Sequence, residues 1–290
     1  MVFPGFIKTE TIWDKLLLKR ISKYSIFVMA TTLGTVVLNY TDSLVLTYFR
    51  SLEEVGLYNV ASPIAKVLTY FPLAIMSVLI PLSSELWTKK KMSVLKAGIE
   101  SLYKYSMIFI LPLALALFSF SELAINATFG SKFLPAANAL RILSIGMLFS
   151  TLYGVNVSFF SGIGKPEITS KIVYSGALFN FVSDIILIPS MGINGAAITT
   201  TISFGIMMTI GLLRMRKMIG LEFPTKIWLA SLLAGLLFTL SIWILKGLLA
   251  LNVWLETGIV LAISGIFYIF LLFLLKIISI GELKDLYRRV

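Results

Sequence analysis

The chain has 290 residues, 58% of them hydrophobic and only 13% charged, with mean hydropathy +0.95 and a formal net charge of +11. That is more apolar side chain than a soluble core absorbs, so the composition points to a membrane protein. Cysteine and histidine are both absent, which excludes disulfides, thiolate nucleophiles, the usual zinc sites and Ser-His-Asp catalysis; neither enzymatic activity nor a cofactor is expected.

A bilayer-crossing helix needs about 20 predominantly apolar residues. Runs of that kind fall at roughly 24–48, 55–86, 105–127, 136–161, 171–189, 193–213, 226–246 and 253–276. They predict an all-α, polytopic helical bundle with eight transmembrane helices. Before the first span, Ile12, Trp13, Leu16, Leu17 and Ile21 share one helical face opposite Lys15 and Lys19. That pattern predicts an amphipathic helix lying along the membrane surface before the chain turns inward.

Lys and Arg alternate between the connections. Twenty of the 25 fall on one side: before the first span, between spans two and three (Lys89, Lys90, Lys91, Lys96, Lys104), four and five (Lys165, Lys171), six and seven (Arg214, Arg216, Lys217, Lys226), and in the tail. Arg50, Lys132, Arg141 and Lys246 fall on the other, and Lys66 lies within a span. Positive charge is retained in the cytoplasm, so both termini are expected there. The positive net charge is then topogenic, and no nucleic-acid partner is expected. Trp87, Trp228, Trp243 and Trp254 fall at span ends, where interfacial belts place tryptophan.

Polar residues inside the spans mark a packed interior or a wet cavity. In the first span Thr31, Thr35, Asn39 and Asp42 form one stripe, and in the second Asn59, Ser62, Lys66, Tyr70 and Ser77 form another. Asp42 and Lys66 are expected to form an interhelical ion pair, either as a structural lock or as a contact for a charged substrate or coupling ion. Asp184 has Arg141 as its expected partner. Asn156 and Asn180 are further candidates. Pro63, Pro72 and Pro81 punctuate the second span and predict bends, as a moving element or as static curvature.

The loop motifs add a resemblance. Asp42 through Phe49 is followed by Glu53-Glu54-Val55-Gly56-Leu57-Tyr58-Asn59; Phe129-Gly130 and Phe133 precede Leu140-Arg141-Ile142-Leu143; Ser161-Gly162 leads to Gly164-Lys165-Pro166; and Leu187-Ile188-Pro189 leads to Gly192 and Gly195-Ala196-Ala197. This ordered set resembles the polysaccharide (O-antigen-type) flippases of the MATE-like multidrug/oligosaccharidyl-lipid/polysaccharide (MOP) exporter superfamily, in particular their C-terminal portion. The resemblance implies three parts: residues 1–23 as the cytoplasmic surface helix, 24–220 as a six-helix lobe, and 221–290 as an added helix pair with a cytoplasmic tail. It implies a transporter of the cell membrane that moves a lipid-linked oligosaccharide for polysaccharide biosynthesis, as a fragment or half-unit partnered by a missing first lobe or a second copy. An ion-coupled multidrug or small-molecule antiporter and a non-transporting assembly subunit are the alternatives. On the leading reading Lys66 meets the anionic part of the substrate, with Arg141 as a second candidate. Asp42 orients Lys66 or takes part in ion coupling, and Asn39, Asn59, Asn156 and Asn180 hydrogen-bond sugar hydroxyls. The remaining partners are membrane lipids around the apolar tail.

Overall fold

The computed structural model describes residues 14–222, 224–248 and 252–278, without the side chains at positions 71, 72, 74–76 and 247. Among these residues the chain is built of helices: α1 (Lys15–Phe49), α2 (Leu52–Lys66), α3 (Tyr70–Thr88), α4 (Met92–Ser119), α5 (Ser121–Phe129), α6 (Ala137–Gly162), α7 (Pro166–Met191), α8 (Ile193–Ile219), α9 (Thr225–Leu248) and α10 (Val253–Leu274). Seven helical stretches are long and apolar enough to cross a membrane. The expected second span is where the structure departs from eight. It is broken into α2 and α3 by a 3₁₀ turn at Val67–Thr69. Pro63 inside α2 removes a backbone donor, and Thr69 Oγ1 donates to the Lys66 carbonyl at 2.7 Å across the break. Pro81 is carried inside α3 without interrupting it; the side chain of Pro72 lies outside the described set.

At the N-terminus the structure also differs from expectation. Asp14 caps α1, accepting from the amides of Leu16 and Leu17 at 2.8 and 3.1 Å. The helix then runs 35 residues without interruption. Residues 15–24 therefore continue directly into the first span, because no glycine, proline or cap between them turns the chain. Trp13 and the rest of the amphipathic stretch before Asp14 lie outside the described residues, as do Lys284, Arg288 and Arg289.

The most buried spanning helix is α6, with 61% of its most apolar window inside the protein against 11% for α1. It packs on α8, α4, α3 and α2, while α7 bridges α1 and α8. The α9–α10 pair leans on α4 through Phe238, Ala234, Val260 and Tyr268, Tyr268 donating to the Ile108 carbonyl at 3.1 Å. Outward-facing Leu33, Val36, Leu44, Leu178 and Ile186 stay exposed, as a lipid-facing surface requires.

The two ends differ in charge. At the lysine-rich end Lys165 lies over the Trp87 ring at 5.7 Å, and Lys96 Nζ reaches Glu222 at 2.7 Å. Of the tryptophans expected at span ends, Trp243 and Trp254 are largely exposed. Trp87 and Trp228 instead turn inward, against Phe159 and Tyr103. At the opposite end Arg50 pairs with Glu54 at 2.9 Å and reaches the Pro189 carbonyl at 3.4 Å. This clamp fixes the start of α2 over the end of α7. Gly192 completes it: its φ is +54°, and a Cβ there would run into the Glu54 carboxylate and lie 3.2 Å from the Arg50 guanidinium.

The joint between α8 and α9 is tied by Glu222, whose amide donates to Glu100 Oε1 at 3.0 Å while its carboxylate takes the Lys96 ammonium. That hydrogen bond holds the Glu222 carboxyl below its ordinary value of 4.5. A carboxyl depressed in the folded state lends support above its unfolded value and loses it as pH falls through the folded one. Hydrogen exchange at the Glu222 amide, corrected for intrinsic rate, is expected to be level from neutral pH to about 5 and to accelerate below that. An acceleration already present at pH 6–7 would contradict the assignment.

Candidate functional site

The polar stripes of α1 and α7 meet, and the meeting point is a buried carboxylate cluster. Asp42, 3% exposed, comes from α1; Asn180 and Asp184, one helical turn apart and both fully buried, come from α7; Thr199 and Thr200 come from α8. Asp42 Oδ2 accepts from the Tyr58 hydroxyl of α2 and from Thr200 Oγ1, the latter at 2.7 Å. Asp42 Oδ1 accepts from Asn180 Nδ2 at 3.1 Å. Asn180 Nδ2 also lies 3.4 Å from both threonine hydroxyls, and Thr199 Oγ1 donates to Asp184 Oδ1.

The two carboxyls are close enough to act on each other. Among the described residues, no Lys or Arg nitrogen lies within 4.0 Å of either. Two more oxygens of the cluster, Asn180 Oδ1 and Asp184 Oδ2, are buried without a hydrogen-bond partner among the described residues. Two adjacent carboxylates cannot both stay charged and uncompensated in a low-dielectric interior. The donor set is all oxygen, which suits a shared proton or a hard monovalent cation.

Lys66 shares a small cavity with this cluster, lined by Asn39, Asp42, Tyr58, Ser62, Lys66 and Thr200 over an apolar floor of Leu143, Met147 and Phe204. Its free volume of about 10 Å³ suits one water-sized species. The expected Asp42–Lys66 ion pair is not formed: no contact within 4.0 Å joins them. Counted inward from the reversal at residues 50–51, Asp42 sits roughly 12 Å deep and Lys66 roughly 22 Å at 1.5 Å per residue. The hydroxyls and the amide reach Asp42 first, and Lys66 ends α2 half-buried, just before the 3₁₀ break.

Arg141 is not the partner of Asp184. It lies at the start of α6, toward the same end of the bundle as Asp184, but pairs instead with Glu122 at 2.6 Å and Asn138 at 2.7 Å. Asn156 is also elsewhere. Fully buried, it accepts from the Tyr103 hydroxyl and donates to the Met208 carbonyl at 3.1 Å, in a lock between α4, α6 and α8. Asn39 and Asn59 are exposed: Asn39 Nδ2 returns to the Thr35 carbonyl at 2.9 Å, and Asn59 Oδ1 accepts from Ser43 at 3.0 Å. With Thr35 they form an open polar face on α1 and α2. Tyr58, Thr199 and Thr200 were not among the expected site residues. The polar stripes alone do not find them, because each sits on a different helix from the carboxylate it serves.

A family model for "Polysaccharide biosynthesis protein" matches residues 7–138. The uncharacterized membrane protein MJ1068 of Methanocaldococcus jannaschii is 37% identical over the whole chain, which spans 57% of that relative. A Haloferax volcanii protein named "Probable low-salt glycan biosynthesis flippase Agl15" is 24% identical over 185 residues, 64% of this chain and 39% of that one. Among solved structures, the lipid II flippase MurJ in an inward closed conformation superposes with a TM-score of 0.72 at 19% identity, over 91% of this chain and 56% of that one. The chain thus spans about half the length of the relatives it matches. MurJ supports the fold, and the family match and the full-length similarity to MJ1068 agree with the motif order. The chain is thus similar to polysaccharide biosynthesis proteins over residues 7–138 and shares the fold of MurJ.

Proposed function

We propose that this protein contributes one lobe of a translocase for a lipid-linked oligosaccharide, with the Asp42–Asp184 cluster as its coupling-ion site and Lys66 as its contact for the anionic linkage. The observation carrying this reading is the half-buried cation beside a buried carboxylate pair, at the edge of an open polar face. A glycan linked to a lipid through phosphate presents an anion between sugar and tail. Lys66, with no carboxylate in contact among the described residues, offers it a charge-assisted hydrogen bond. Asn39 and Asn59 on the same face suit sugar hydroxyls. An ion-coupled small-molecule antiporter would use the same carboxylates but has less use for Lys66.

The relatives are about twice as long, and the exposed Thr35, Asn39 and Asn59 leave a polar surface that lipid covers poorly. We therefore place a complementary six-helix lobe, or a second copy, opposite α1 and α2. In this arrangement residues 24–220 form the lobe, 221–290 the added pair with its tail, and α2 with α3 together make the eighth crossing. By the positive-inside rule the lysine-rich end is cytoplasmic, as are both termini. Arg141, at the far end, takes no part in this site.

Binding of a polyprenyl-pyrophosphate-linked sugar to the purified chain, followed by native mass spectrometry, tests the reading. Lys66→Met is expected to weaken it about 10- to 100-fold, the worth of a hydrogen bond to a charged group. Equal affinity for the variant and the parent would remove Lys66 from the substrate path.

A further inference from the structure

A second polar constellation lies where the added pair meets the lobe, at the end opposite the lysines. Two cavities of about 440 and 330 Å³ open there, joined at Ser119, Arg141 and Lys246. The first is an apolar slot along α9: Leu236, Leu240 and Trp243, spaced on one helical face, with Phe118 of α4 opposite. All three α9 residues are exposed, Trp243 by 75%. The second is polar, with Glu122, Asn126, Glu256 and Thr257 in its wall.

The joint carries two cations with donors to spare. Lys246 Nζ gives one hydrogen bond to the Ser119 carbonyl at 2.9 Å and sits 4.2 Å from the centre of the Phe120 ring. Arg141 uses Nη1 and Nη2 on Asn138 and Glu122, and a guanidinium offers five N–H groups in all. The neighbouring carboxylates of Glu122 and Glu256 balance these charges, so the cleft as a whole attracts no simple anion. Its charges are separated instead: cations at the joint, carboxylates beyond it, and the apolar slot on the other side.

We propose that this cleft binds a zwitterionic aminophospholipid. The phosphate lies between Arg141 and Lys246, the ammonium meets Glu122 and Glu256, and an acyl chain follows Leu236, Leu240 and Trp243. Tail, phosphate and amine occur along the lipid in the same order as slot, joint and carboxylates along the cleft. Such a lipid fastens the α9–α10 pair to the lobe. The site is separate from the translocation site, and it is read out without any flipping.

Delipidated full-length chain in mild detergent would be titrated with dioleoyl phosphatidylethanolamine, phosphatidylcholine and phosphatidylglycerol, and bound lipid counted by native mass spectrometry. Phosphatidylethanolamine is expected to bind about 10-fold or more tightly than phosphatidylglycerol, since both carry the phosphate and only one carries the amine. Phosphatidylcholine, whose quaternary amine donates no hydrogen bond, should fall between them. Arg141→Gln with Lys246→Gln should weaken phosphatidylethanolamine binding about 10-fold or more, whereas Lys246→Arg retains it. Glu256→Gln, at the half-buried first turn of α10, should narrow the preference over phosphatidylglycerol while leaving the fold intact. Equal binding of the two lipids, a preference for phosphatidylglycerol, or unchanged preference in Glu256→Gln would overturn the proposal.

Discussion

Replacing Asp42 by Asn is expected to abolish the dependence of the protein's melting temperature on monovalent cation, while leaving the folded chain intact. The substitution keeps the shape of the side chain. Its amide oxygen at the Oδ1 position still accepts from Asn180 Nδ2, and the hydroxyls of Tyr58 and Thr200 can rotate to accept from its NH₂. What it removes is one of the two carboxyl groups between which a proton or a cation would be shared. In the parent protein a cation that binds only the folded state stabilises it by RT ln(1 + [L]/Kd), about 2.7 kcal/mol at a hundredfold excess over Kd. In Asp42→Asn that increment should vanish for sodium and potassium alike. Thermal unfolding across a sodium series, repeated in potassium and at several pH values, separates the two candidate species. A parent insensitive to both cations but sensitive to protons leaves a shared proton as the occupant. Indifference of the parent to all three would sink the coupling site altogether.

The membrane class, seven of the spans and the likeness to polysaccharide biosynthesis proteins were legible in the chain because each rests on local signals: apolar run length and Gly-Pro turn motifs. The broken second span was only half legible. Pro63 and its fellows announced a bend, but where the helix gives way depends on which carbonyls neighbours rescue, and the break falls at Val67–Thr69 between two prolines. The candidate cluster was legible only in part: three of its members were among the expected residues, while Arg141 and Asn156 lie elsewhere. Asp42, Asn180 and Asp184 were found because hydrophilic groups inside apolar runs stand out. The Asp42–Lys66 pair does not form because roughly two turns of helix separate the two in depth. Opposite charges were also matched by preference, as with Asp184 and Arg141. The fold instead meets the carboxylates with hydroxyls and an amide, from Tyr58, Thr199, Thr200 and Asn180. Those residue types are too common along the chain to stand out unless the helix neighbours are known.

Asn156 and Asn180 show how far apart two similar residues end up, and their leucine variants should fail in different ways. Both are intramembrane asparagines, both are fully buried, and the sequence put both on the sugar path. Asn156 spends its groups on structure, holding the Tyr103 hydroxyl and the Met208 carbonyl. Gly211 of α8 has no side chain because Asn156 occupies that space; a Cβ there would collide with the amide. Asn156→Leu leaves a buried hydroxyl stranded, at about 1–3 kcal/mol per unsatisfied group. It also presses a branched side chain against the α8 backbone at Gly211, which adds about 1–3 kcal/mol of overpacking. A loss of roughly 2–6 kcal/mol is therefore expected for Asn156→Leu. It should appear as a lower yield of monodisperse protein and a lower melting temperature at every cation concentration. Gly211→Ala should reproduce the steric part. Asn180→Leu strands Asp42 Oδ1 as well as deleting an amide oxygen with no partner among the described residues, so it should lower the melting temperature and also flatten its slope against cation concentration, which Asn156→Leu should leave unchanged. A cation-independent collapse in Asn180→Leu, with Asn156→Leu melting like the parent, would reverse the two assignments and place the ligand-bearing asparagine between α4 and α8.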